Sequence, residues 1–185
     1  MKTKPQRILT THVGSLPRPA DVIALLVAKD RGEPFDEAAL AALVRVAVAE
    51  IVGQQMACGV DIVSDGELGK ISYVNYVKHR IEGFGAPAPL EWTPRDLADH
   101  PPPRASGAPP AEPNPDPPAC RGPLSVRDRA PLEADLAAFR GALDGARPAG
   151  AFMNAASPGI VAHFMANKFY PSHEAYVDAL AEVLR

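Results

Sequence analysis

The sequence has 185 residues, and 19 basic residues against 22 acidic ones give it a formal net charge of −3. This balance offers no basic surface for nucleic acid or for a membrane, no apolar run approaches about 18 residues, and the N-terminus does not lead into a secretory signal. The two cysteines, Cys58 and Cys120, lie too far apart to indicate a disulfide framework or a zinc knuckle. We therefore expect a soluble, cytoplasmic protein.

The first part of the chain alternates short β-branched segments with helical patterns. Residues 7–12 predict a strand, and an apolar face after Pro19 predicts a helix that extends to about Lys29. The strongest helix is predicted at 37–57, with Asp36 as its N-cap, and a strand follows at 60–63. The order strand, helix, strand is typical of a parallel sheet.

The second part of the chain contains a proline-rich segment. Residues 86–123 hold 13 of the 21 prolines, and we expect a surface loop at 94–118 because that segment carries almost no large apolar residue. Elsewhere the pattern predicts helices and one further strand, at 72–80 (helix), 131–144 (helix), 150–154 (strand), 158–167 (helix) and 172–185 (helix).

Three predicted parallel strands are too few to close an eight-stranded barrel, which typically takes about 250 residues. The fold class is therefore α/β, and we expect residues 1–185 to be the N-terminal portion of a single, larger domain, with the Pro-rich 94–118 surface loop within it.

Small polar residues follow each of the three predicted strands, at the strand ends where α/β folds bind ligands. They are His12-Val13-Gly14-Ser15, Ser64-Asp65-Gly66-Glu67 and Asn154-Ala155-Ala156-Ser157. Glu67 could hold an ammonium group, while the backbone N–H groups at Gly14 and the Ser15 hydroxyl could hold a carboxylate, which together would clamp an α-amino acid. The alternative is simple turn chemistry, since Asp-Gly is a common turn dipeptide.

Other polar residues have both a structural and a functional interpretation. His12 is as plausible in a site as in a structural role, and Arg18 could bind an anionic substrate or form a surface ion pair. Cys58 is expected to be a small buried residue, and Tyr73 and Tyr76 either line the pocket or pack. The remaining histidines, which we expect on solvated faces or loops, are His79, His100, His163 and His173.

Two long motifs resemble the cobalamin-independent methionine synthase family, specifically its C-terminal catalytic barrel and the stand-alone relatives of that barrel. They are Thr10–Pro19, and Gly59–Glu67 followed by Gly69-Lys70; Phe152–Gly159 also resembles the third-strand segment of the relatives. The resemblance implies a partial TIM-type (β/α)8 barrel, made of the first three or so β/α units with a Pro-rich insertion.

The same resemblance implies methyl transfer to the thiol of homocysteine in methionine biosynthesis, with a folate such as 5-methyltetrahydropteroyltriglutamate as the methyl donor. In the family, the Val13-Gly14-Ser15 position holds the carboxylate and backbone of homocysteine, and the Glu67 position binds its amino group. The substrate-binding residues expected here are His12, Val13, Gly14, Ser15, Arg18, Asp65, Glu67 and Asn154.

Zinc is the cofactor that the resemblance implies, because the family uses it to activate the thiol. Its ligands in the family are His, Cys, Glu and Cys from later strands, and this sequence ends before those strands. Cys58 and Cys120 do not match them, so we expect no metal ligand in this chain, no catalytic residue and no activity of the chain alone. The explanations are a truncated product, a half that pairs with a separate C-terminal half, or a degenerate relative, and the first is favoured.

Two other functions are open. One is a related thiol alkyltransferase of the coenzyme M transferase type, for which Arg18 could favour a sulfonate. The other is a non-catalytic amino-acid-binding module whose Pro-rich segment binds SH3-like partners.

Overall fold

The computed structural model describes residues 7–72, 74–89, 99 and 117–185. Most of the predicted 94–118 loop lies outside the described residues, as do Tyr73 and His100, so the predictions made for them stay predictions. The chain divides into two compact units, one formed within residues 1–76 and 128–155 and the other within 77–127 and 156–185. The prediction of a single domain stays a prediction.

The helices and strands alternate along the chain much as the sequence predicts. In chain order they are α1 (Ala20–Arg31), α2 (Glu37–Ala57), β1 (Ile62–Ser64), a 3-10 helix (Asn75–His79), β2 (Ile81–Pro87), β3 (Pro118–Val126), α3 (Ala130–Leu143), β4 (Gly150–Phe152), α4 (Pro158–Phe164) and α5 (His173–Val183).

A small parallel sheet forms the centre of the first unit. β1 pairs in parallel with β4, and Ile62 lies opposite Gly150. The predicted strand at 7–12 is reduced to a single parallel bridge between Thr11 and Ile62. Because Ile62 pairs on both sides, β1 lies in the middle, and the ends of all three segments meet at one edge of the sheet.

Helix α2 supplies most of the core of this unit. Its N-cap is confirmed, since the Asp36 carboxylate accepts the backbone N–H of Ala39 at 2.9 Å, and Gly59 follows its end with a φ of 81°. The helix packs against α1, α3 and β1. Its buried face recurs at helical spacing and comprises Leu40, Val44, Ala47, Val48, Ile51, Val52 and Gln55.

By length and composition alone, α2 is also apolar enough to cross a membrane. This is weak evidence for a membrane span, because a buried core helix passes the same test, and α2 contributes seven buried residues to the unit. The predicted cytoplasmic location stays a prediction.

A buried glutamine connects α2 to the end of β1. The side chain of Gln55 donates to the carbonyl of Ser64 at 2.8 Å and accepts the N–H of Ser64 at 3.0 Å. Both groups are buried, so this reciprocal pair satisfies polar atoms that water cannot reach. It holds the last residue of β1 just before the polar sequence that follows it.

Asp61 fastens the N-terminal segment to the start of β1. Its carboxylate accepts the backbone N–H of Thr10 at 2.8 Å and pairs with the guanidinium of Arg7 through two hydrogen bonds. The Arg7 hydrogen bond, followed by that of Thr10, holds the pKa of the Asp61 carboxyl well below its usual range. This carboxylate therefore aligns residues 7–11 beside β1.

The Asp61 carboxylate makes folding dependent on pH. Its pKa is lower in the folded chain than in the unfolded one, so its contribution is complete above about pH 4 and is lost as the pH falls through the folded value. Asp61→Asn should lower the urea midpoint at pH 7, and the gap from wild type should narrow below about pH 4. Asp178→Asn, at an exposed position of α5, is the control; a gap that stays constant down to pH 2 would contradict the assignment.

The second unit contains an antiparallel pair, β2 with β3, which the sequence analysis did not predict. The predicted helix at 72–80 is reduced to the 3-10 helix, because the chain enters β2 at Ile81. The predicted helix at 158–167 ends at Phe164, since Ala166 and Lys168 instead form backbone hydrogen bonds with Cys120 of β3. The helices predicted at 131–144 and 172–185 are confirmed as α3 and α5.

The two cysteines are placed contrary to the expectation for Cys58. Cys58 is exposed at the end of α2, because it caps the helix outside the buried face, whereas Cys120 is buried in β3. Burial raises the pKa of the Cys120 thiol. The buried Cys120 therefore does not have the environment of a reactive thiolate.

Tyr176 is fully buried in the same unit. Its hydroxyl donates to the backbone carbonyl of Met165 at 3.1 Å, and desolvation raises the pKa of this phenol.

A glycine in β2 allows the pairing with β3 to change register. Gly83 has a φ of 97°, and the register shifts between Glu82 and Phe84. A Cβ at position 83 would lie 2.7 Å from the carbonyl oxygen of Pro123. Only glycine fits this close backbone approach.

Gly83→Ala should therefore destabilise the chain by about 2 kcal/mol or more. The alanine would be strained at a positive φ, and its Cβ would clash with the backbone of β3. The matched control is Gly85→Ala in the same strand, where a Cβ meets Arg121 only at ordinary distances of 3.6 Å and beyond. Urea unfolding of the two variants measures the difference, and equal midpoints would refute the register argument.

Candidate functional site

Two loops meet at the end of the parallel sheet and form the candidate site. One loop follows Thr11, the other follows Ser64, and the N–H of Leu16 donates to the carbonyl of Gly66 at 2.9 Å. Gly66 and Glu67 both have left-handed backbone angles, with φ values of 62° and 57°. For Glu67, which has a Cβ, this conformation costs about 1–2 kcal/mol, and it marks the turn as a place to look for function.

The Glu67 carboxylate is buried and is held by two neutral side chains. The hydroxyl of Ser15 donates to Oε2 at 2.7 Å, and the amide of Asn154 donates to Oε1 at 2.9 Å. Glu67 is only 4% exposed. The three strand ends that the sequence predicts as a site are thus joined at one carboxylate.

Asp65, two residues before Glu67, pairs with a buried lysine. The ammonium group of Lys70 is 3.2 Å from Oδ2 of Asp65, while Oδ1 of Asp65 accepts the N–H of Glu67 at 3.2 Å. Lys70 also donates to the carbonyl of Asn154 at 3.4 Å and lies 5.7 Å from the ring centre of Tyr76. A buried carboxylate needs such a partner, because an unpaired one would be strongly destabilising.

Arg18 contacts the same turn from the first loop. Its guanidinium donates to the carbonyl of Glu67 at 3.0 Å and to the hydroxyl of Ser15 at 3.3 Å. Desolvation lowers the pKa of Arg18, against the opposing charges of Glu67 and Asp65. Its Nε atom is buried and has no hydrogen-bond partner. Arg18 is therefore held at the site, with its buried Nε donor unused.

Five of the eight predicted binding residues form this connected network: Ser15, Arg18, Asp65, Glu67 and Asn154. His12 contributes a buried Nε2 that has no hydrogen-bond partner, Val13 has a side chain that is 68% exposed, and Gly14 turns the loop with a φ of 105°. Their binding roles stay predictions. The sequence analysis did not predict Lys70 as a site residue. It lies three residues after Glu67 in the same motif, and this position could have indicated that it belongs to the site.

The zinc ion that the family resemblance implies would require a group of His, Cys, Asp or Glu side chains as ligands. In residues 7–72, 74–89, 99 and 117–185, no group of three or more His, Cys, Asp or Glu side chains could hold a metal. The Asp65 carboxylate already pairs with Lys70, and the Glu67 carboxylate alone supplies fewer than the three or four protein ligands of a zinc site. The described part of the chain therefore does not fit zinc.

Comparison with known proteins agrees with the motifs that converge on this site. Residues 8–94 match the family described as cobalamin-independent synthase, catalytic domain. The resemblance predicted from the sequence is confirmed. The matched range contains both loops, from His12 to Lys70, but excludes Asn154. No curated protein matches the chain.

Solved structures of methionine synthases share the fold. A B12-independent methionine synthase from Shewanella sp. W3-18-1, in complex with selenomethionine, has a TM-score of 0.64 and 21% identity, with 95% of this chain and 45% of that one covered. A protein assigned as a vitamin-B12-independent methionine synthase, from Listeria monocytogenes, has a TM-score of 0.59 and 15% identity, with 96% and 47% covered. This chain thus spans less than half the length of either one. Its mixed α/β fold is similar to part of the synthase fold.

The turn at Gly66 should tolerate no side chain. A Cβ there would lie 3.2 Å from Cβ of Leu16, in addition to the strain of a positive φ. Gly66→Ala should lower the free energy of unfolding by about 1–3 kcal/mol. Gly53→Ala, in α2 with open space around it, should instead be neutral or stabilising by up to about 1 kcal/mol. Denaturation of both variants checks the opposite signs, and a stable Gly66→Ala chain would contradict the described turn.

Proposed function

We propose that this chain is the amino-acid-binding part of a methyltransferase that resembles the cobalamin-independent methionine synthases, with homocysteine or a similar thiol amino acid as its ligand. The observation that carries the proposal is the buried Glu67 carboxylate, whose oxygens accept from Ser15 and Asn154. Both partners are neutral, so they orient the carboxylate while leaving its negative charge available to a cation.

An α-ammonium group is well suited to Glu67. Each carboxylate oxygen can accept two hydrogen bonds, and one on each is accounted for by Ser15 or Asn154. In a desolvated setting, a charge-assisted bond from an ammonium group is stronger than a neutral one. Glu67 would thereby select a ligand with a free amino group.

The carboxylate of the ligand would lie toward the loop after Thr11. The backbone at Gly14 turns there with a positive φ, and the nearby Arg18 has an unused Nε donor. The Ser15 hydroxyl already donates its one proton to Glu67, so we assign the ligand carboxylate to the backbone N–H groups of the Gly14 and Ser15 segment, with Arg18 adding positive charge. The selenomethionine in the Shewanella synthase structure supports the choice of a sulfur- or selenium-containing amino acid as the probe.

Methyl transfer needs more than this clamp. A thiol reacts as its thiolate, and the described residues contain no metal-binding group that would generate one. We therefore propose that this chain binds the acceptor without transferring a methyl group by itself. A complementary C-terminal half with zinc ligands, and a folate donor, would be required for the full reaction.

The role of Glu67 is tested by calorimetric titration of the chain with L-homocysteine, L-methionine and 4-(methylthio)butanoate, which is methionine without its amino group. Glu67→Gln should weaken binding of the two amino acids by about tenfold to a hundredfold, the effect expected for a lost charge-assisted bond. It should leave binding of the des-amino compound nearly unchanged, so the preference for an amino group disappears.

Glu50→Gln, at an exposed position of α2, is the matched control and should bind like wild type. A Glu67→Gln chain that retains the preference of wild type for methionine over the des-amino compound would overturn the clamp. Wild type that binds none of the three compounds would overturn the proposed function.

The thiol alkyltransferase of the coenzyme M type is the second candidate, and the buried, unpartnered Nε of Arg18 is the observation that favours it. An anionic sulfonate could accept from that donor. Titration with 2-mercaptoethanesulfonate distinguishes the two, because this thiol has no amino group. Tight binding that Arg18→Lys weakens and Glu67→Gln does not would replace homocysteine with a sulfonate thiol.

A further inference from the structure

Lys70 is the most buried cation near the candidate site, yet none of its contacts is with the Glu67 carboxylate itself. Its side chain is 3% exposed, and its ammonium group lies 3.2 Å from the Asp65 carboxylate and 3.4 Å from the carbonyl of Asn154. The ring of Tyr76 lies beside it. Burying an ammonium group is costly, and here two oxygens and an aromatic face replace its water.

The two oxygens belong to the two residues that support Glu67. Asp65 accepts the backbone N–H of Glu67 through its other oxygen, at 3.2 Å. Asn154 donates its side-chain amide to Oε1 of Glu67 at 2.9 Å. Lys70 therefore joins the loop after β1 to the segment after β4, one step removed from the carboxylate.

We infer that Lys70 is a positioning residue of the amino-acid clamp. Its ammonium group holds the backbone carbonyl of Asn154, and this contact sets the direction in which the side-chain amide of Asn154 points toward Glu67. This inference rests on the proposed function. It goes further by assigning the orientation of the clamp to a buried cation that does not touch the ligand. Neutralising Asp65 is the simpler role of Lys70, and the two roles predict different results.

The experiment is a cycle of four variants of the full chain: Lys70→Arg, Lys70→Met, Asp65→Asn, and Asp65→Asn with Lys70→Met. Lys70→Met leaves a buried carboxylate unpaired and is expected to destabilise the fold. The double variant removes both charges and keeps an oxygen at position 65 for the Glu67 N–H. Relative to Asp65→Asn, it removes Lys70 and its hydrogen bond to Asn154 while position 65 stays the same, and the Asn154 amide resonances report the effect on Asn154 directly. Circular dichroism and urea unfolding verify that each variant is folded.

Two measurements are made on each variant. The first is the Kd of L-methionine, which should be about tenfold weaker in the double variant than in Asp65→Asn, the order expected for one lost hydrogen bond in the supporting network. Lys70→Arg should keep the Kd within about threefold of wild type, because it retains the positive charge and N–H donors. The second is the NMR resonance pair of the Asn154 side-chain amide without ligand, identified through its loss in Asn154→Asp.

The amide resonances should shift in the double variant and stay near their Asp65→Asn positions in Lys70→Arg. Equal Kd values and equal amide shifts in Asp65→Asn and the double variant would overturn the inference and leave charge neutralisation as the role of Lys70. If wild type binds none of the three titrated compounds, the proposed function fails, while the amide shifts still decide whether Lys70 orients Asn154. Lys29→Met removes another lysine that lies against an aromatic ring, 5.9 Å from Phe35, and should change neither measurement.

Discussion

The candidate site depends on one buried carboxylate that is held in a strained turn. Gly66 and Glu67 both adopt left-handed backbone angles, and the carbonyl of Gly66 accepts the N–H of Leu16. This turn directs the side chain of Glu67 inward, where Ser15 and Asn154 meet it. Because a non-glycine residue costs free energy in this conformation, the surrounding contacts must hold it. The loop after Thr11, the end of β1 and the segment after β4 are therefore positioned by the same group.

Balanced charge makes this arrangement stable. Two carboxylates, Asp65 and Glu67, are almost fully buried within two residues of each other, and like charges at this spacing would oppose folding. Lys70 neutralises the Asp65 carboxylate, and the Arg18 guanidinium donates to the backbone carbonyl of Glu67. The named hydrogen bonds to the Glu67 carboxylate come only from neutral donors, Ser15 and Asn154, whereas Arg18 donates to the backbone carbonyl, so the carboxylate charge is the one without a directly bonded cation. This asymmetry, more than the number of polar groups, favours binding of a cationic amino group.

The main helix of the first unit and the polar residues at the strand ends could be predicted from the sequence. The pattern of residues 37–57 predicted α2 and its Asp36 cap, because helix periodicity and capping are local properties. The motifs His12–Arg18 and Asp65–Glu67 also predicted a site at the strand ends together with Asn154, and in the structure the Asn154 amide contacts Glu67. The antiparallel pair β2–β3 was not predicted, because its register depends on a distant partner strand and on a left-handed Gly83. The burial of Cys58 was predicted wrongly, since the sequence does not reveal which face of a helix end lies toward solvent.

The sequence by itself determined the residue types, their order along the chain, the family resemblance and the α/β alternation, since all of these follow from local pattern and composition. Only the tertiary structure decided which polar groups touch. It brought Asn154 to Glu67 across 87 positions of sequence separation and joined Lys70 to both Asp65 and Asn154. A lysine in a sequence is usually a solvated surface residue. Its burial between two oxygens arises from the parallel pairing of β1 with β4, which carries loops from distant parts of the chain to the same edge of the sheet.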